Sequence, residues 1–170
     1  GKFANGAVSA AVVYLFNDMV VKKWDRWDML KHFTDGSGTQ KSLKEIGLYD
    51  TIKNSEVTKS VEYRFRLQID DKARALSLNL SPGAYSLHEK FINSYYFGDY
   101  SWAIGSATLS GDFNGLLIVF GSGSYSFSGT ATINFSDRWA DPWDVFNIIP
   151  GELNIGGTPY NIKDSWSVKY

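Results

Sequence analysis

The sequence predicts an α+β fold in which N-terminal helices are followed by a curved antiparallel β-sheet. A change of period carries that prediction. Apolar residues recur every three or four positions through the first half of the chain, and every second position from about Tyr95 onward. Turn clusters (DGSGT at 35–39, SPG at 81–83, GSGS at 121–124) separate the periodic runs.

Phe3 to Met19 reads as a helix, because Phe3, Ala7, Val8, Ala11, Val12, Leu15, Phe16 and Met19 fall on one stripe. KKWDRWDMLKHF continues or restarts a helix, and DGSGT ends it. A short helix is expected over Ser42–Ile46, stopped by Gly47. Ser55 offers an N-cap to a longer helix in which Val57, Val61, Phe65, Ile69 and Ala73 repeat at steps of four. Residues 107–119 and 125–135 alternate apolar with polar side chains around the GSGS tip, the pattern of a long antiparallel hairpin. Gly111, Gly115 and Gly129 on its apolar side suggest curvature or close backbone approach. Turns around two short strands follow in PGELNIGGTPYNI, and Trp166, Val168 and Tyr170 alternate in a last strand.

Composition narrows the function. With 44% hydrophobic and 16% aromatic residues the chain can bury a core. Residues 1–91 hold 14 Lys/Arg against 11 Asp/Glu, whereas residues 92–170 hold 3 against 7. A net charge of −1 argues against a nucleic-acid partner, which would call for a positive excess. The acidic strand half suits an acidic active site or a metal site instead. There is no cysteine, and the two histidines are His32 and His88, so disulfides, thiolate zinc and histidine-rich metal sites are excluded. No run of eighteen apolar residues occurs. The first residue is Gly and no signal-peptide pattern is present, as expected for a piece of a longer polypeptide.

The densest chemistry lies in FSDRWADPWD at 135–144. Part of it has a structural explanation: Asp141 before Pro142 resembles an N-cap with proline at the first helical position, opening a turn through Trp143–Asn147. Asp144 would then sit in the first turn, where the helix dipole favours negative charge. His32, between Leu30 and Phe33, reads as a packed histidine, and His88 in LSLHEKF as a possible remote general base. Lys22, Lys23, Arg26 and Lys31 form a solvated helix face or one that meets an anionic membrane.

Two resemblances add to this. GKFANGAVSAAVVYLFND is similar to the segment preceding the toxin domain in bacterial polymorphic toxins of the Rhs and contact-dependent inhibition types. It implies a helical pre-toxin or linker segment over 1–33 and a C-terminal toxin domain over 34–170, with its sheet from about 95 and a dedicated immunity protein as partner. LKHFTDGSGTQKSLKEIGL at 30–48, the glycine- and tyrosine-bearing strands at 98–139 and GTPYNI at 157–162 resemble, in the same order, the colicin M family. That resemblance implies a half-barrel sheet and hydrolysis of lipid II between undecaprenyl chain and pyrophosphate. It also implies Mg²⁺ as cofactor and action in the periplasm of the target bacterium, on a lipid-linked precursor at the membrane surface. The family motif is Asp-x-Tyr-Asp followed by His-Arg. Asp137 matches the first Asp, Trp139 stands in place of Tyr, Ala140 in place of the second Asp with Asp141 beside it, and no histidine follows.

For that chemistry Asp137 and Asp141 are the candidate catalytic and metal-holding carboxylates, since Mg²⁺ takes hard oxygen ligands. Arg138 is a candidate phosphate fork and His88 a candidate acid or base. Trp139 and Asp144 are candidate substrate contacts, with core packing as the alternative for Trp139. Asp99 and Asp112 are further carboxylates of the strand half. A membrane-permeabilising toxin is the competing reading, because two alternating strands with a Gly-Ser tip have the dimensions of a transmembrane hairpin. A cytoplasmic nuclease is disfavoured by the acidic strand half.

Overall fold

The structure is a computed structural model and describes residues 23–140, apart from 25, 37 and 102, and residues 157–170. The helix expected over 3–19, the turn expected over 143–147 and the segment around 150–156 lie outside the described residues. Three helices, α1 (Arg26–Asp35), α2 (Tyr49–Lys53) and α3 (Glu56–Ser77), precede four strands. These are β1 (Gly83–Tyr96), β2 (Ser106–Gly121), β3 (Ser124–Trp139) and β4 (Tyr160–Lys169). They form one open antiparallel sheet in the order β1-β2-β3-β4. The fold is α+β, as the change of period implies.

The longest helix forms where its sequence signals lie. Ser55 is extended at φ −62° and ψ 151°, and its hydroxyl accepts the Thr58 N–H at 3.1 Å. Val61, Phe65, Ile69 and Ala73 are buried at the predicted spacing of four and lie on the inner face of the sheet. Phe65 meets Phe91 edge-on with ring centroids 4.7 Å apart. The close fit requires Gly111 beneath them, since a Cβ there would lie 2.3 Å from the Phe91 ring and 2.8 Å from that of Phe65. Glu62 ties the helix to β4, accepting the Trp166 indole N–H at 2.7 Å.

Two element boundaries are corrected. The short helix expected over Ser42–Ile46 is a single turn: the Ser42 hydroxyl accepts the Glu45 N–H at 3.1 Å while the Glu45 carboxylate accepts the Ser42 N–H at 2.7 Å. That backbone contact holds the Glu45 carboxyl below its usual range. Gly47, at φ 70°, then turns the chain into α2. The sheet begins at Gly83 instead of about 95. Its first strand carries His88, Glu89 and Lys90 in succession, which interrupts the alternation a buried strand would show. Helix α3 guards this edge: Lys72 Nζ donates to the His88 carbonyl at 2.6 Å and pairs with Glu89 at 2.8 Å, and Gln68 donates to the Lys90 carbonyl at 3.2 Å.

The β2–β3 hairpin matches the predicted one and turns through Gly121, Ser122 and Gly123, all at positive φ. β3 runs on past Phe135 to Trp139, because β4 continues the ladder as far as Trp139↔Tyr160. At this end Phe33 of α1 packs against Trp139 and Met29 is fully buried. The boundary expected after residue 33 thus falls inside a helix that shares the core of the sheet.

Candidate functional site

The ladder to Trp139 decides which way each candidate points. Side chains alternate across a strand, so Phe135, Asp137 and Trp139 share the inner face, and Ser136 and Arg138 share the outer one. Asp137 pairs in register with Ile162, between buried Phe135 and buried Trp139. Its carboxylate accepts the Arg138 backbone N–H at 2.7 Å. Burial pushes this carboxyl up to about 6, with the Arg138 N–H opposing the shift. No ion pair to Asp137 occurs among the described residues.

Tyr160 opens β4 beside it on the same face and is almost wholly buried. Its hydroxyl lies 3.3 Å from Met29 Sδ and 3.5 Å from the Met29 carbonyl. Burial raises its pKa, and the negative charge of Asp137 adds to the rise. The ring stands edge-on to His32 at 4.5 Å, and His32 meets Trp24 at 5.6 Å. His32 Nε2 sits 2.9 Å from the Thr39 carbonyl, so that nitrogen carries the proton. Outside this layer a surface recess of about 310 Å³ is lined by Trp24, Asp28, Lys31, His32, Asp35 and Gly36.

The other candidates divide. Arg138 is exposed on the outer face, away from Asp137. Trp139 is only 5% exposed and packs against Phe33 and Tyr160, each at 5.5 Å, which corrects its expected role as a substrate contact. His88 is on the outer face of β1 opposite Asn114, whose side-chain oxygen lies 2.6 Å from its Nδ1. Asp137 lies about seven residues farther along the sheet, a displacement of about 23 Å at strand rise, and on the other face. His88 is therefore not brought to Asp137, which corrects its expected catalytic role. Asp112 belongs to the His88 cluster, bonded to Lys90 at 2.7 Å and to Asn114 at 2.9 Å. Asp141 and Asp144 lie outside the described residues.

The histidine that does reach this end of the sheet is His32, together with Tyr160 and Met29. Nothing local in the sequence signals this, since Met29 and Tyr160 are 131 positions apart. As a metal centre this end of the sheet offers the hard oxygens of Asp137, and Asp164 stands on the same face opposite Phe135, where it accepts the Lys44 N–H at 3.3 Å. Among the described residues no group of three or more metal-binding side chains occurs. One carboxylate is compatible with Mg²⁺, which commonly keeps waters and substrate phosphates as its remaining ligands.

No protein-family model and no curated protein matches the chain. Among solved structures it is similar to pectocin M2, with 17% identity over 98% of this chain and 60% of that one, at a TM-score of 0.37. It is also similar to the bacteriocin syringacin M from Pseudomonas syringae pv. tomato DC3000, with 20% identity over 85% of this chain and 51% of that one, at a TM-score of 0.39. A truncated form of syringacin M gives 19% identity, 85% and 59% coverage and the same TM-score. The chain spans about half to three-fifths of the length of these proteins. The partial likeness is to bacteriocins of the colicin M family.

Proposed function

We propose that this chain is the toxin domain of a larger interbacterial toxin, acting in the periplasm of the target cell. There it hydrolyses lipid II or a related undecaprenyl-pyrophosphate precursor of peptidoglycan. The observation that carries the reading is Asp137. A half-buried carboxylate without a cationic partner among the described residues costs folding free energy, so packing gives no reason to keep it. It stands where the sequence resembles the start of the colicin M motif.

With its carboxyl near 6, Asp137 is mostly ionised at neutral pH and close enough to it to take up a proton efficiently. Its role is to accept the proton of the attacking water while the apolar walls of Phe135 and Trp139 keep bulk water away. With Mg²⁺ bound, Asp137 and Asp141, the second carboxylate expected from sequence, would instead be its ligands. The ion would lower the Asp137 pKa and remove it as the base, and it would offset charge on the pyrophosphate and activate water itself. A cognate immunity protein belongs to this reading.

The pore reading loses its main support. The apolar side of the β2–β3 hairpin is already buried, with Phe65 of α3 packed above Gly111. Along β3 the opposite side presents Ser126, Ser128, Thr130, Thr132 and Asn134. That outer row is polar where a lipid-facing strand must be apolar, and on β2 the outer positions turn apolar only near the tip, at Leu116, Ile118 and Phe120, after Ser110, Asp112 and Asn114.

The test compares cytoplasmic expression with export through a signal peptide, for the native chain and Asp137→Ala, while lipid-linked precursor and free undecaprenol are measured. The expected result is harm on export alone, precursor loss, and survival with the variant. Undiminished killing by Asp137→Ala would sink the assignment.

A further inference from the structure

Exposed apolar side chains occur at both ends of the sheet, among them Leu78 near the hairpin turn and Ile92 and Tyr96 of β1 towards the end where Asp137 lies. At the hairpin end Leu116, Ile118 and Phe120 occupy alternate outer positions of β2 and are 44%, 36% and 60% exposed. At the other end Trp27 of α1 is 71% exposed. Lys31 follows Trp27 by one helical turn and is exposed, and Lys23, which precedes the helix, is also exposed. The buried side of the same helix reaches the end of the sheet where Asp137 lies, through Met29 against Tyr160 and Phe33 against Trp139.

Strand length separates the hairpin end from Asp137. From Tyr125 at the hairpin end to Asp137 is twelve residues of extended chain, about 40 Å. The headgroup layer of a bilayer is only about 5–8 Å deep on each side. A membrane seated on the hairpin tip would leave Asp137 far above the pyrophosphate of a lipid-linked substrate. One seated on the exposed side of α1 lies nearer to Asp137 by most of that length, with the thickness of one helix, about 10 Å, between them.

We propose that the face of α1 bearing Trp27 and Lys31, together with Lys23, docks this domain on an anionic phospholipid bilayer. An indole has an apolar body and a polar N–H, which suits the boundary between acyl chains and headgroups. Lysines beside it lay their stems along the interface and direct their ammonium groups to lipid phosphates. Of the two acids on this helix, Asp28 is half-buried and has a partner, and Asp35 is at the far end. Both acids line the recess beside Trp24, Lys31 and His32, and Trp27 and Lys23 lie outside it. The inference rests on the lipid-linked substrate proposed above.

The test is partition of the whole domain onto vesicles of phosphatidylcholine with about one-third phosphatidylglycerol, against phosphatidylcholine alone. Binding is expected to the anionic vesicles, weakened at least about fivefold by Trp27→Ala and about fivefold by Lys31→Glu. Phe120→Ser should bind as the native chain does. Because Trp27 is exposed, its removal leaves the core intact, which an unchanged melting temperature verifies. These vesicles contain no lipid-linked precursor, so Asp137→Asn binds them normally whether or not the hydrolytic reading is right. Native-like partition of Trp27→Ala overturns the proposal. So does loss of binding in Phe120→Ser, or a failure of the native domain to bind, which would leave this face to a protein partner.

Discussion

Replacing Asp137 by asparagine tests the site through stability as well as activity. Asparagine has nearly the same shape and its amide oxygen still accepts the Arg138 N–H, so the substitution mainly removes a charge. The sign follows from the direction of the shift. With its native carboxyl raised to about 6, Asp137 favours the fold when protonated. That contribution is fully present below the unfolded value of about 4 and is lost as pH rises through about 6. A shift of about two pKa units sets a ceiling of about 3 kcal/mol. Partial solvent access lowers the expected gain to about 1–2 kcal/mol at pH 8, or about 2–8 °C in melting temperature for a chain of this size. At pH 4 the variant and the native chain should unfold alike. Urea unfolding at the two pH values measures the difference, and carboxyl NMR titration locates the pKa. An equal gain at pH 4 and pH 8, or titration of Asp137 below about 4.5, would refute the account of a desolvated carboxylate.

Gly129→Ala should destabilise the hairpin by about 1–3 kcal/mol in urea unfolding. Its Cβ would fall 2.5 Å from the Asn114 carbonyl and 2.6 Å from Gly115 Cα, backbone atoms that cannot swing aside. Phe65→Ala should cost about 3–5 kcal/mol by the same measurement, since it empties the space between Phe91 and Gly111 at the centre of the helix–sheet contact.

How much of the site was legible depends on the range of the interaction that makes it. Asp137 was found from the motif, but its orientation was not. Ser136, Asp137 and Arg138 end the hydrophobic alternation, so the strand reads as stopping at Phe135. Pairing with β4 carries the ladder to Trp139 and thereby fixes Asp137 inward and Arg138 outward. The histidines exchanged places for a similar reason. His88 is nearer to Asp137 in sequence, yet its register opposite Asn114 holds it far along the sheet, while packing of α1 on Tyr160 brings His32 to that end.

By itself the sequence determined those elements whose cause is local. Ser55 caps α3, a step of four aligns Val61 to Ala73, and strict alternation about a Gly-Ser turn makes the hairpin. The tertiary structure decided where each strand starts and stops and which candidate residues meet. Ladder hydrogen bonds stabilise a polar run such as Glu89–Lys90 or Asp137–Arg138 only when a partner strand distant in sequence is in place. Likewise, the burial that raises the Asp137 carboxyl exists only once α1 and β4 have closed over that end of the sheet.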